Sequence, residues 1–118
     1  MADAATQDRH WHAKHCFARI SARKARLIAD LIRGRRCDDA VTVLRFTHNR
    51  AASLIDRVLQ SAMANANNAE ASMSRLFVAE ARVDDGPIIK RFRPKDRGRA
   101  HPIQKRTSHI IVGVAERE

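Results

Sequence analysis

The chain has 118 residues, and its 23 lysine and arginine residues exceed its 13 aspartate and glutamate residues to give a net charge of +10. This length predicts one domain with a modest core and little room for a substrate pocket. The apolar fraction of 44% excludes a disordered chain. A domain this basic repels itself unless a polyanion neutralises it, so the composition favours nucleic acid as the partner.

The positive charge is concentrated in two segments. Residues 1–36 carry a net charge of +6 and residues 86–109 carry +7, whereas residues 37–85 carry −2. Arginine outnumbers lysine by eighteen to five, and arginine binds phosphate through two parallel hydrogen bonds and stacks on bases. This distribution predicts a near-neutral scaffold that presents two basic contact surfaces.

The remaining global features favour an intracellular protein. Cys16 and Cys37 lack C-x-x-C spacing, which fits reduced thiols better than a disulfide framework. No apolar run approaches the roughly 20 residues that span a bilayer. We interpret residues 1–10 as a disordered tail rather than a targeting peptide, and residues 11–118 as a single RNA-binding domain in the cytoplasm.

The first predicted elements are a strand and a helix. Residues 11–20 mix basic, aromatic and β-branched side chains without a helical period, which predicts a short strand or extended arm. Ser21 is a good N-cap for a helix that Gly34 ends. The apolar stripe of this helix comprises Ala22, Ala25, Ile28, Ala29 and Ile32.

Two further helices are predicted in the middle of the chain. Asp38 or Asp39 would cap a short second helix that ends near Phe46. Asn49 would cap a third helix of about four turns that frays in the stretch 65–74, which is rich in asparagine and alanine.

The pattern then changes to strands. Apolar side chains alternate over residues 77–83 and again over residues 110–115, separated by a basic segment. A structureless loop of that length is unusual inside a domain. We therefore predict a kink at Gly86–Pro87 and an extended basic hairpin over about residues 86–109, with its tip near Pro94–Gly98. A hairpin with almost no apolar face is marginal in water, so an outside partner must hold it.

The hairpin is the strongest candidate for RNA contact. Its cations would lie on both faces of an extended ribbon, and Phe92 has no core to receive it. The alternative is a solvated basic loop. Its basic residues are Lys90, Arg91, Arg93, Lys95, Arg97, Arg99, Lys105 and Arg106. Folded RNA is favoured over DNA because it offers irregular sites with unstacked bases.

A second basic cluster surrounds the first helix. Its members are Arg19, Arg23, Lys24, Arg26, Arg33, Arg35 and Arg36. Arg19, Arg23 and Arg26 share one helical face if the helix begins early. The alternative is a solvated helix face without a ligand.

The sequence offers little support for a catalytic site or a metal site. His10, His12 and His15 do not have the spacing of a standard metal site, and an extended segment would place His15 opposite the other two. Ser108 and His109 are adjacent in sequence, which is not how a nucleophile and its base are arranged. We expect no enzyme activity, cofactor, metal or small-molecule substrate.

Four stretches resemble one known family in the family's order. They are KHCFAR (residues 14–19) followed by SARKARLIADLIRG (21–34), SAMANA (61–66), VDDGP (83–87), and GRA (98–100) leading to KRTSHI (105–110). These segments are similar to large-subunit ribosomal protein twenty-two, over about residues 13–115. The chain lacks the insertions of archaeal and eukaryotic relatives, so it looks like a bacterial-type member.

The resemblance implies an α+β fold with three helices packed on a small three-stranded antiparallel sheet, and a long basic hairpin. It implies a structural protein that binds ribosomal RNA, aids subunit assembly and lines the nascent-peptide exit tunnel with its hairpin tip. The implied partners are ribosomal RNA, neighbouring ribosomal proteins and the nascent peptide, and the protein would be a monomer within the ribosome. The implied RNA-binding residues are Lys14, Arg19, Arg23, Lys24, Arg26, Arg33, Lys90, Arg91, Arg97, Arg99, Lys105, Arg106 and His109. The implied tunnel tip is Phe92, Arg93, Pro94, Lys95 and Asp96.

Two other functions remain open at this point. A DNA-binding protein that uses a basic β-ribbon arm would need a dimer with two arms. An enzyme that acts on RNA would need a nucleophile or metal site, and the sequence offers no pattern for either.

Overall fold

The computed structural model describes residues 10–94, 98 and 100–116. The elements in chain order are β1 (His10–Ala18), α1 (Ala22–Ile32), α2 (Cys37–Phe46), α3 (Arg50–Asn68), a 3-10 turn (Met73–Arg75), β2 (Leu76–Asp85), β3 (Ile89–Pro94), β4 (Ala100–Lys105) and β5 (Ser108–Glu116). The predicted α+β class is confirmed. The predicted tail lies outside the described residues except for His10, which begins β1.

Strand β5 is the centre of the main sheet. The antiparallel sheet has the order β1-β5-β2, and β3 pairs with β4 in a separate two-stranded sheet. The inward side chains of β5, Ile110, Val112 and Val114, are buried in the same core as the helices. Burial of such a side chain contributes roughly 1.5–3 kcal/mol relative to exposure, so β5 carries much of the core.

Helix α1 follows its predicted pattern. The Ser21 hydroxyl accepts the N–H of Lys24 at 3.4 Å, which caps the helix, and the five residues of the predicted stripe are buried. Gly34 follows the helix with φ of +82°, a conformation that glycine adopts without strain. Its N–H donates to the carbonyl of Val78 at 2.9 Å, so this turn ties α1 to β2.

The predicted cap of α2 is wrong, and that of α3 is confirmed. Helix α2 begins at Cys37, without a side-chain cap, so Asp38 and Asp39 lie inside its first turn. Carboxylates there stabilise the helix through its dipole rather than as caps. In α3, Asn49 Oδ1 accepts the N–H of Ala51 at 2.9 Å. The helix ends at Asn68, inside the stretch where fraying was expected.

The two cysteines differ in environment. Cys16 is exposed on β1, whereas Cys37 is buried at the start of α2. Burial, reinforced by the charge of Asp38, raises the pKa of the Cys37 thiol to about 11. Cys37 is therefore a protonated core residue at neutral pH and not a nucleophile.

The hairpin of β3 and β4 projects from this core. Described side chains of both strands are exposed except for Ile89 and Ile103, which are half-buried. The molecule measures 71 × 31 × 21 Å, and its radius of gyration is 17.9 Å, above the roughly 13.5 Å of a compact chain of this length. No helix of the described chain is long and apolar enough to cross a membrane.

Deleting residues 91–99 should leave the melting temperature of the free protein within about 3 °C, because the described side chains removed are exposed. Differential scanning calorimetry of the deletion and the full chain measures this. A drop of 10 °C or more would show that the tip packs on its own domain.

Candidate nucleic-acid interface

The hairpin leaves the sheet through a hydrogen-bonded joint. The predicted kink is present, since β2 ends at Asp85 and β3 begins at Ile89. Gly86 N–H donates to the carbonyl of Thr107 at 2.9 Å, and the Thr107 hydroxyl donates to the carbonyl of Pro87 at 2.5 Å. A Cβ on Gly86 would lie 2.5 Å from the Thr107 hydroxyl, so the joint requires glycine. These contacts set the direction in which the hairpin projects.

The joint is also tied to the first helix. Ser108 is fully buried, and its hydroxyl donates to the carbonyl of Ile20, just before α1. A buried hydroxyl with a partner avoids the desolvation penalty that it would otherwise carry. This joint, residues 86–87 and 107–108, is the root of the hairpin. The hairpin root and the amino-terminal end of α1 are therefore held together.

A basic cleft, the root cleft, lies where these elements meet. Its volume is about 460 Å³, and five of its ten lining residues are cations. Those cations come from four places in the chain, namely Arg19 after β1, Lys24 on α1, Arg50 at the start of α3, and Lys105 and Arg106 on the hairpin. No carboxylate lines it among the described residues. Such a cleft attracts anions, because its walls carry one sign of charge.

A second basic cleft, the helix cleft, lies beside the first. Its volume is about 430 Å³, and Arg23, Arg26, Arg106 and Asp85 supply its charged groups. Ser21 and Arg106 line both clefts. The first turn of α1 holds no acidic residue, so the positive end of its dipole adds to the local field.

The two faces of the hairpin differ. The register pairs Ile89 with Lys105, Arg91 with Ile103 and Arg93 with His101. Because paired residues share a face and successive residues alternate, Arg91, Arg93 and Lys105 lie on one face. The other described face carries Lys90, with Phe92 opposite Pro102. Among the described residues of the two strands, cations lie on both faces, as predicted, with three of the four on one face.

Two predicted RNA-binding arginines have partners inside the domain. β2 is an edge strand. Arg26 Nε donates to the carbonyl of Val83 at 3.0 Å, and Arg33 Nη2 donates to the carbonyl of Ala81. Arg33 also bonds Asp30 at 2.8 Å. These side chains satisfy exposed carbonyls of an edge strand, which is a structural role.

The other predicted cations are available for a ligand. They are exposed, and among the described residues their charged groups make no ion pair. They are Lys14, Arg19, Arg23, Lys24, Lys90, Arg91, Lys105 and Arg106. Arg19 precedes α1, so the expected helical face of Arg19, Arg23 and Arg26 is wrong.

Part of the predicted tip cannot be placed. Arg97, Arg99, Lys95 and Asp96 lie outside the described residues. Phe92, Arg93 and Pro94 lie at the end of β3 and are exposed, Phe92 to 72%.

His109 has an aromatic partner that sequence reasoning missed. Its Nδ1 accepts the N–H of Phe17 at 3.1 Å. The two rings meet edge to face with centroids 5.0 Å apart. Arg50 was also missed, because it lies in the near-neutral middle of the chain. Neither Phe17 nor Arg50 carries a local sequence signal, since Phe17 meets His109 and Arg50 Nη1 donates to the carbonyl of Arg19 through long-range contacts.

The histidines of β1 do not assemble a metal site in the described part of the chain. His10 and His12 stack with ring centroids 6.3 Å apart, and His12 Nε2 lies 3.2 Å from Glu80. No group of three or more His, Cys, Asp or Glu side chains is placed to hold a metal ion within residues 10–94, 98 and 100–116.

The chain matches a known protein family. The family model described as Ribosomal protein L22p/L17e matches residues 13–115. The match includes the sheet, the three helices, both clefts and the hairpin.

Arg33→Ala should lower the free energy of unfolding by about 1 kcal/mol, because it leaves the carbonyl of Ala81 without its donor. Arg23→Ala on the same helix removes the same charge without a described partner, and it should change stability by less than about 0.5 kcal/mol. Urea denaturation at fixed ionic strength compares the two variants. Equal losses would contradict the structural role of Arg33.

Proposed function

The chain belongs to the ribosomal protein L22p/L17e family, structural constituents of the large ribosomal subunit that bind ribosomal RNA, and from this premise we propose which of its surfaces do the binding. The root cleft, the helix cleft and the cationic face of the hairpin contact RNA phosphates. The protein acts by positioning RNA and catalyses no reaction.

One observation carries this proposal. Exposed cations from the segment after β1, from α1, from the start of α3 and from the end of β4 line the two clefts at the hairpin root, and Asp85 is the one carboxylate among the described lining residues. Such a cluster raises the free energy of the free protein, because its like charges repel each other. Phosphates that enter the clefts relieve this repulsion. Arginine and lysine contacts to phosphate fix the orientation of a protein on its nucleic acid. The clefts would thus set how the hairpin enters the RNA.

The predicted RNA-binding residues fall into two classes, according to whether the side chain binds the β2 edge strand. Lys14, Arg19, Arg23, Lys24, Lys90, Arg91, Lys105 and Arg106 are the phosphate ligands that we propose. Arg50 lines the root cleft beside them, and its Nη1 also donates to the carbonyl of Arg19 at 2.9 Å. Arg26 and Arg33 act chiefly on the β2 edge. Arg97 and Arg99 extend the ribbon in sequence, and we keep them as proposed ligands.

We further propose that the hairpin tip, residues 92–96, lines the nascent-peptide exit tunnel. What supports this is the division of the described part of the ribbon, where Arg91, Arg93 and Lys105 share one face while Phe92 and Pro102 lie with Lys90 on the other. The stem of the hairpin, Lys90–Arg91 and Lys105–Arg106, would lie between RNA segments. The tip would meet water and the passing peptide. Neighbouring ribosomal proteins would contact the domain, which would be present once per ribosome in the cytoplasm and would aid subunit assembly.

The DNA-binding alternative makes a different demand. A β-ribbon arm that wraps a duplex needs a dimer with two arms. We expect a monomer by light scattering, and we expect the protein to co-sediment with large ribosomal subunits in high salt.

RNA affinity should fall steeply with salt, because each phosphate contact releases condensed counterions. Replacing Lys105 and Arg106 by Ala should weaken binding to refolded large-subunit ribosomal RNA and should reduce the slope of log K against log salt by about 2, near 1 for each lost contact. Filter binding over a salt series measures both quantities.

The control is Arg57→Ala, which removes an exposed cation of α3 outside both clefts. Its slope should stay close to that of the unaltered chain. An affinity that does not change with salt would contradict the proposed interface. So would a double variant of Lys105 and Arg106 whose slope equals that of the unaltered chain.

Substitutions in the tip and in the stem should have different effects in cells. Arg93→Glu places a negative charge in the proposed tunnel wall, so it should alter passage of basic nascent segments or binding of tunnel-blocking drugs without preventing assembly. Replacing Lys105 and Arg106 by Ala should instead weaken incorporation into the subunit, because RNA phosphates would lose their partners. Subunit profiles and translation stalling assays compare the two variants. A tip variant that fails to assemble beside a stem variant that assembles normally would reverse these roles.

A further inference from the structure

Phe17 has a backbone conformation that bulky residues rarely adopt. Its φ is +60°, in the left-handed region where a residue with a bulky side chain is an outlier. The conformation arises at a bulge in β1, where the pairing with β5 shifts between His15 and Ala18. Bulges often re-aim a side chain beside a functional site. The strain therefore needs a compensating contact or function.

Core packing does not supply that compensation. The side chain of Phe17 is 61% exposed, whereas the next residue, Ala18, is buried at 1%. The bulge thus directs the larger aromatic side chain outwards and the smaller methyl group inwards. A ring held outwards at a strained position is preorganised to meet a ligand.

His109 fixes the ring and adds a polar group beside it. The N–H of Phe17, which the bulge removes from the ladder, donates to His109 Nδ1 at 3.1 Å, and the rings meet at an interplanar angle of 85°. Because Nδ1 accepts this bond, the neutral imidazole carries its proton on Nε2. The half-buried His109 therefore offers a donor at the far side of its ring, next to an exposed aromatic face.

The charges around the pair identify its ligand. Lys14 and Arg19 flank Phe17 in sequence, and both are exposed. His109 follows Ser108, at the end of the sheet from which the hairpin leaves. An aromatic face with an adjacent donor in a basic setting suits a base on a phosphate backbone, and proteins bind unstacked RNA bases by stacking them on aromatic rings.

We propose that Phe17 stacks against an unpaired nucleobase of the ribosomal RNA and that His109 Nε2 donates a hydrogen bond to the same nucleotide. The proposal rests on the proposed RNA-binding function and adds a base-stacking site to its phosphate contacts. Phe17 is the stacking residue, and His109 both holds it in place and contacts the ligand.

Three substitutions test the stacking. Phe17→Ala removes the ring, Phe17→Leu keeps apolar bulk without an aromatic face, and Phe17→Trp restores a larger face. Affinity for refolded large-subunit ribosomal RNA should fall at least about fivefold in Phe17→Ala and Phe17→Leu, and Phe17→Trp should bind within about twofold of the unaltered chain. Circular dichroism melting confirms that each variant is folded before binding is measured.

A second measurement locates the contact. Short-wavelength ultraviolet light should cross-link the peptide containing Phe17 to RNA in assembled subunits, as mass spectrometry would detect. Equal affinity of Phe17→Ala and the unaltered chain would overturn the stacking site alone. A Phe17→Leu variant that binds normally would replace stacking with a general apolar contact, and a cross-link only to another protein would assign Phe17 to a protein partner. Failure of the unaltered chain to prefer this RNA over transfer RNA would instead defeat the proposed function itself.

Discussion

Antiparallel pairing of β5 with β1 on one side and β2 on the other is the interaction on which the rest of the structure depends. Its inward side chains form the core with the helices, and its first residue, Ser108, ties the hairpin root to α1. Its second residue, His109, holds Phe17. One strand thus joins stability, hairpin direction and the Phe17–His109 pair, so a shift in its register would disturb all three.

The second constraint is electrostatic. The chain carries a net charge of +10, and the fold deals with its cations in two ways. Arg26 and Arg33 turn back to the carbonyls of an edge strand, whereas Arg19, Lys24, Lys105 and Arg106 line the root cleft without a described ion pair. The first group stabilises the free domain. We propose that the second group stabilises only the complex, because its favourable contacts would form when phosphates arrive.

The sequence predicts the parts of this account that depend on local pattern. The stripe of α1 is visible because buried residues recur at helical spacing, and Ser21, Asn49 and Gly34 mark helix ends through their own backbone chemistry. The cap of α2 was misassigned because the buried Cys37 begins the helix before the aspartates that resemble caps. The resemblance to a known family implied the three-stranded antiparallel sheet, whereas the order of its strands is known only from the structure.

The remaining features depend on contacts between distant residues. Phe17 and His109 are 92 positions apart, and Arg26 lies 57 positions from the carbonyl that it binds. Charge counting alone could not separate Arg33 from Arg23, since Arg23 lies in α1, Arg33 directly follows it, and both are exposed. The difference appears only in the folded structure, where β2 lies beside α1 and the unpaired carbonyls of β2 can accept hydrogen bonds.

The central claim is that RNA, rather than the domain, holds the hairpin in place, and hydrogen exchange tests it most directly. Amides of β5 should be protected in the free protein, while those of β3 and β4 should exchange quickly, because an isolated hairpin is marginal in water. Adding refolded large-subunit ribosomal RNA should protect β3 and β4 with little change in β5. Hairpin amides already as protected as β5 in the free protein, or still unprotected in the complex, would contradict the account.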